Sequence, residues 1–137
     1  MPIVSKETEI QQRLNNVYDA LQSTREKLRE ELLLFRSRYE NACLDHIKSG
    51  FRKEKSWIKE SNNHHQKYLE YDIHIYLIDI ISDYRDLHGH FPEHTLMLDN
   101  IEQLMFAFAE EEKYEEAAVL NRWLKQFELA NSLPSKS

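Results

Sequence analysis

From Ser5 to Ser49 the chain contains neither glycine nor proline. Apolar or near-apolar residues recur there at Ile10, Leu14, Val17, Leu21, Thr24, Leu28, Leu32, Phe35, Tyr39 and Ala42. The steps alternate between four and three, with one doubled four from Leu28 to Leu32, which is a coiled-coil stripe with a single stutter where the seam locally unwinds. A helix of about 44 residues would be roughly 66 Å long, whereas a compact domain of this chain length is only about 40 Å across. Such a helix must overhang its domain, break, or pair with a second chain. Because "LLLF" at Leu32 to Phe35 puts apolar groups on more than one side, the pattern points to an elongated molecule that dimerises along this helix. The alternative is that the run marks where the helix enters its own core.

Punctuation elsewhere is sparse. In 137 residues there are two glycines and three prolines, so Gly50, Gly89 with Pro92, and Pro134 divide the chain. The stretch from Leu69 to Leu87 alternates like a strand at Tyr71, Ile73, Ile75 and Leu77. It also traces one helical face through Leu69, Ile73, Tyr76, Leu77, Ile80, Tyr84 and Leu87. No second strand is available to pair with it, polar residues collect opposite that face, and Gly89 stands where a C-cap glycine belongs. The prediction is a buried helix over 66–88. Pro92 and Glu93 suit the first turn of the next helix, proline for its fixed φ and glutamate for the helix dipole.

From Leu98 to Phe127 two further stripes follow: Leu98, Ile101, Leu104, Met105, Phe108 and Ala109, then Tyr114, Ala117, Ala118, Leu120, Leu124 and Phe127. They are out of phase across a run of glutamates. The simplest structure is a helical hairpin over 93–129 that turns near Glu111 to Lys113, with alanines allowing close approach of the backbones. The fold class expected is therefore all-α: one elongated helical domain over 1–133, with a long coiled-coil-like helix (5–49), a second buried helix and the hairpin, and a disordered tail at 134–137.

Composition narrows the function. With 41% apolar and 31% charged residues the chain has the balance of a soluble globular protein, and a net charge of −6 argues against coating nucleic acid with its whole surface. The single cysteine, Cys43, excludes an internal disulfide or a multi-cysteine zinc site and suits a reducing compartment. The N-terminus turns polar after four residues and no window approaches ~18 apolar residues, so a cytoplasmic protein without a membrane anchor is expected.

Residues Ile101 to Phe127 resemble the UVR motif, the short helical hairpin found in the UvrB and UvrC repair proteins and in ClpC and McsA stress proteins. Leu104, Met105, Ala109, Tyr114 with Glu115, Ala117 with Ala118, Leu120, Leu124 with Lys125, and Phe127 occupy the motif's places in register. The chain departs from it at Glu112, where the family has leucine, and at Asn121 and Arg122, where it has an Arg-Asp pair. The match covers about a fifth of the chain, and no Walker phosphate loop or zinc cysteines accompany it. The resemblance implies a protein-docking hairpin, and Tyr114 and Phe127 are candidate partner-binding residues on it; Phe106 and Trp123 join them because they are displaced from the two stripes onto an aromatic rim, the alternative being that the second helix covers one or both. The expected function is a non-enzymatic adaptor, homodimeric and needing no cofactor.

A second candidate lies in "KSGFRKEKSWIK". Arg52, Lys53, Lys55 and Lys59, with Lys48, accompany Phe51 and Trp57 against the single acid Glu54, a mixture that can grip phosphates while aromatics stack on bases. The competing view is a solvated connection anchored by its two aromatics. Residues 1–60 carry 12 basic and 10 acidic side chains and residues 61–137 carry 6 and 14, so the basic half could also meet the acidic half of another copy. Metal binding is not expected. His64 and His65 are separated from His88, His90 and His94 by a helix of about 33 Å, so they cannot share one site. The acidic line Asp79, Asp83 and Asp86 reads as a solvated face, and no residue set suggests catalysis.

Overall fold

The computed structural model describes residues 6–91 and 94–131, and these form four helices with no strand among them: α1 Lys6–Lys48, α2 Glu54–His88, α3 His94–Glu110 and α4 Tyr114–Asn131. The all-α class is as expected. The helix opening at Pro92 and Glu93 and the tail at 134–137 lie outside the described residues.

α1 is unbroken over 43 residues, about 64 Å at ~1.5 Å per residue, and folds back on α2 through the turn at 49–53. Side-chain pairs record the antiparallel register from base to tip. Tyr18 hydrogen-bonds Ser82, Lys67 pairs with Glu31, Tyr39 stacks on His64, and His46 stacks on Trp57. The stripe read from the sequence is the seam of this intrachain pair, with Leu14, Leu21, Leu28 and Ala42 buried and Ile10, Val17, Leu32, Phe35 and Tyr39 half-buried. This corrects the expectation of an intermolecular seam from Ile10 to Phe35. The same chain supplies the covering helix, because a five-residue turn brings α2 back along α1 at little loop-closure cost.

α2 also begins twelve residues earlier than the 66–88 expected. Residues 54–65 have no aliphatic stripe to announce a helix. They are held instead by ring stacking on α1, at 5.2 Å for His46–Trp57 and 5.5 Å for Tyr39–His64. Next to them Lys67 joins Glu31 of α1 to Glu70 at 3.0 and 3.2 Å. Burial pulls the Lys67 ammonium down, but these hydrogen bonds outweigh it and hold its pKa above the ordinary value. At the far end, Gly89 caps α2 at φ 74°, the left-handed position anticipated for it.

The core sits at the base. Ile73, Leu77, Ile78 and Ile81 of α2 pack with Leu14, Tyr18 and Leu21 of α1 and with the α3–α4 hairpin, through Met97, Leu98, Ile101, Leu120, Leu124 and Phe127. Phe91, in the loop after α2, plugs this core at 1% exposure. Its backbone is held at both ends by one side chain: the Gln11 amide donates to the Phe91 carbonyl at 2.8 Å, and the Phe91 N–H donates back to Gln11 Oε1 at 2.9 Å. Beyond this base, the α1–α2 pair projects as a two-helix arm ending at the 49–53 turn. Cys43 is half-buried on that arm.

Candidate functional site

The α3–α4 hairpin turns where the sequence places the turn. The Glu112 N–H donates to the Ala109 carbonyl at 3.0 Å and the Lys113 N–H to the Phe108 carbonyl at 2.8 Å, the paired bonds of a Schellman end. The left-handed residue this motif requires is Glu112, at φ 62°, where glycine would be unstrained. Five glutamates from Glu110 to Glu116 surround the turn against one lysine. Lys113 sits 3.4 Å from Glu111 and 5.6 Å from the Phe108 ring centre. The turn is a strongly negative shoulder.

The four aromatic candidates on this hairpin separate into two pairs. Phe106 and Tyr114 are 53% and 64% exposed and lie on either side of the acidic turn in sequence. Trp123 and Phe127 are 5% and 0% exposed, and this corrects the expectation that they face a partner. Val119, Trp123, Phe127 and Ala130 recur at steps of four, four and three, so the helix turns all four into the core formed with α1 and α2. The sequence carried this signal: read from Val119, Trp123 belongs to the apolar stripe and not to its rim. Trp123 also satisfies its only donor inside the protein, through a 3.0 Å hydrogen bond from the indole N–H to Nε2 of the buried His74.

α4 runs beside α2 in the same direction, and its first turns border a cleft of about 400 Å³. Phe35, Asn63 and Lys67 form one side of the cleft, and Glu115, Glu116 and Arg122 form the other. It begins one residue beyond the exposed Tyr114, so an apolar anchor, an acidic shoulder and a mixed-charge cleft are contiguous along the chain.

The basic candidates gather at the other extreme, on the arm's tip. Arg52, Lys53, Lys55 and Lys59 are all exposed, as is Lys48. Trp57 is half-buried, its ring stacked on His46 at an interplanar angle of 8°, so one face is already covered. The tip is ordered by a second Schellman end: Gly50 N–H to the Ile47 carbonyl at 3.1 Å and Phe51 N–H to the His46 carbonyl at 2.7 Å. Lys53 N–H adds a 3.2 Å bond to His46 Nδ1. Within "KSGFRKEKSWIK", Trp57 anchors α2 to α1, Phe51 is exposed with its ring edge-on to His46 at 5.4 Å, and the cations are exposed.

Among the described residues no group of three or more His, Cys, Asp or Glu side chains is arranged to hold a metal ion, and no helix is long and apolar enough to cross a membrane. Comparison with family models, with characterised proteins and with solved structures returns no match to this chain.

Proposed function

We propose that the protein is a non-enzymatic adaptor that presents the α3–α4 hairpin to a partner protein. The observation that carries this reading is the exposure of Phe106 and Tyr114 beside a turn of five glutamates, on a hairpin whose other aromatics are consumed by the core. Large exposed aromatics are favoured interface anchors, and the acidic shoulder suits a partner with a basic rim around an apolar pocket. The resemblance of residues 101–127 to the UVR hairpin supports the same role. The test is co-purification from the native host with the intact chain and with Phe106→Ser/Tyr114→Ser. A partner retained by the intact chain and lost by the double variant, with the melting point unchanged, is the expected result. Equal recovery with both would remove this face from the reading.

A second reading is favoured by one observation at the tip of the arm. Phe51 is a bulky residue held at φ 67° and 69% exposed, among five exposed cations. A strained and largely exposed aromatic, in edge contact with His46 alone among the described rings, is suited to stacking on a base while the cations engage phosphates. Binding to single-stranded DNA at low salt, weakening steeply as salt rises and lost in Phe51→Ala/Lys53→Ala/Lys55→Ala, would support it. Absence of binding at low salt would end it.

A further inference from the structure

The outer face of the arm carries aliphatic side chains that the other described residues leave half or more exposed. Leu33, Leu44 and Ile47 are 56%, 50% and 58% exposed. At 100° per residue Leu44 lies about 20° from Leu33 around the α1 axis and Ile47 about 40° to the other side, so the three form one stripe along roughly 21 Å of helix. It points away from the seam residues Leu28 and Ala42, which are buried, and Phe35, which is half-buried, so α2 cannot reach it. Between the aliphatics, within the same face, stand Arg36 and Glu40, both exposed. They are one turn apart, yet no ion pair joins either to another described residue.

We infer that this stripe is the docking surface for a second copy of the chain, the two α1 helices lying antiparallel about a two-fold axis that passes near Arg38. The order of residues along the stripe argues for this occupant. When one helix is reversed against its copy about an axis at Arg38, Arg36 falls opposite Glu40 of that copy and Leu33 lies within one residue, about 1.5 Å along the axis, of Leu44, and each contact occurs twice. Ile47 then lies over the aliphatic stem of Arg29 of the second copy. A parallel arrangement would stack Leu33 on Leu33, Arg36 on Arg36 and Glu40 on Glu40, and the like charges would repel. The stripe is complementary to itself only in reverse, which favours a closed pair over an open array. Two short hydrophobic clusters flanking four charges form a small interface, so association is reversible and dependent on concentration. This dimer uses the face of α1 opposite the seam, and it stands independently of the α3–α4 docking reading.

The experiment is sedimentation velocity on the intact chain from about 1 μM to about 500 μM, a span that brackets weak self-association. The unmodified protein should pass from monomer to dimer, and Leu33→Glu/Leu44→Glu should remain monomeric throughout. Arg36→Glu and Glu40→Arg should each weaken the dimer about tenfold, since each reversal sets like charges face to face twice, and the two together should restore it to within about threefold. All four positions are exposed, and unchanged melting in the monomeric variants verifies that folding is intact. A protein that stays monomeric at the highest concentration overturns the proposal. So does a dimer that persists in Leu33→Glu/Leu44→Glu, or one whose two charge reversals fail to compensate.

Discussion

The indole N–H of Trp123 donates a 3.0 Å hydrogen bond to Nε2 of His74, whose other ring nitrogen lies 2.7 Å from the Glu70 carbonyl. Since the carbonyl can only accept, Nδ1 carries the proton and Nε2 is the bare acceptor, which makes His74 a neutral imidazole with both nitrogens satisfied. This relationship joins α4 to α2 through a polar contact inside an apolar core. Replacing Trp123 with phenylalanine keeps most of the volume but leaves Nε2 buried without a donor. A loss of about 1–3 kcal/mol is expected from urea denaturation. A variant as stable as the parent would mean that Nε2 finds another donor.

Burial of the same imidazole makes stability depend on pH. Burial lowers the His74 pKa below its ordinary 6.5; the Arg122 charge adds to this, while the Glu70 carbonyl and carboxylate partly oppose it. Below pH 6.5 the unfolded chain therefore takes up a proton that the folded chain refuses. The contribution is present in full above 6.5 and is lost as pH falls from there through the folded-state pKa, at no more than about 1.4 kcal/mol per pH unit. Denaturation midpoints measured between pH 7.5 and pH 5 should show a flatter slope for His74→Gln than for the parent. Identical slopes would show that His74 titrates alike in both states.

Exposure separates the hairpin's aromatics by cost. Phe106→Ser and Tyr114→Ser should each change stability by no more than about 0.5 kcal/mol, as surface substitutions usually do. Phe127→Ser removes a fully buried ring and should cost about 3–5 kcal/mol. Thermal melts of the three single variants decide the matter, and a severe loss for Phe106→Ser would place that ring in the core.

The two Schellman ends respond in opposite ways to glycine. Glu112→Gly relieves a left-handed residue at φ 62° and should stabilise the hairpin by about 1 kcal/mol, whereas Gly50→Ala imposes a similar strain at φ 73° and should cost about as much. No atom lies within 4 Å of a Cβ built on Gly50, so the cost there comes from backbone conformation rather than collision. Chemical denaturation of the pair checks both signs.

Opening should be graded along the arm. Tyr18 to Ser82 sits in a base packed by four helices, while residues 36–60 have only one neighbouring helix and are held largely by ring stacks. Amide hydrogen exchange should be fastest near the 49–53 turn and slowest over 73–81. Uniform protection along α2 would show that the arm opens together with the base rather than before it.

Local spacing was enough to determine α1, the part of α2 from residue 66 onward, the helical hairpin, the breaks at Gly50 and Gly89, and the turn at 111–113, because helical periodicity and left-handed caps are properties of neighbours in sequence. It also identified most of the α1 seam, though not Tyr18, which is buried against α2. What covers that seam was decided only by the tertiary structure: a stripe reports that a face is buried, and the same four-three spacing serves a second chain or the chain's own α2. The first twelve residues of α2 were illegible for a related reason. Their partners, His46 and Tyr39, are polar or amphipathic rings supplied by another helix, so no apolar period marks them. Trp123 belonged in the core for a reason split between the two levels. Its spacing from Val119 and Phe127 was visible, but the acceptor that makes a buried indole tolerable, His74, lies 49 residues away and meets it only in the folded chain.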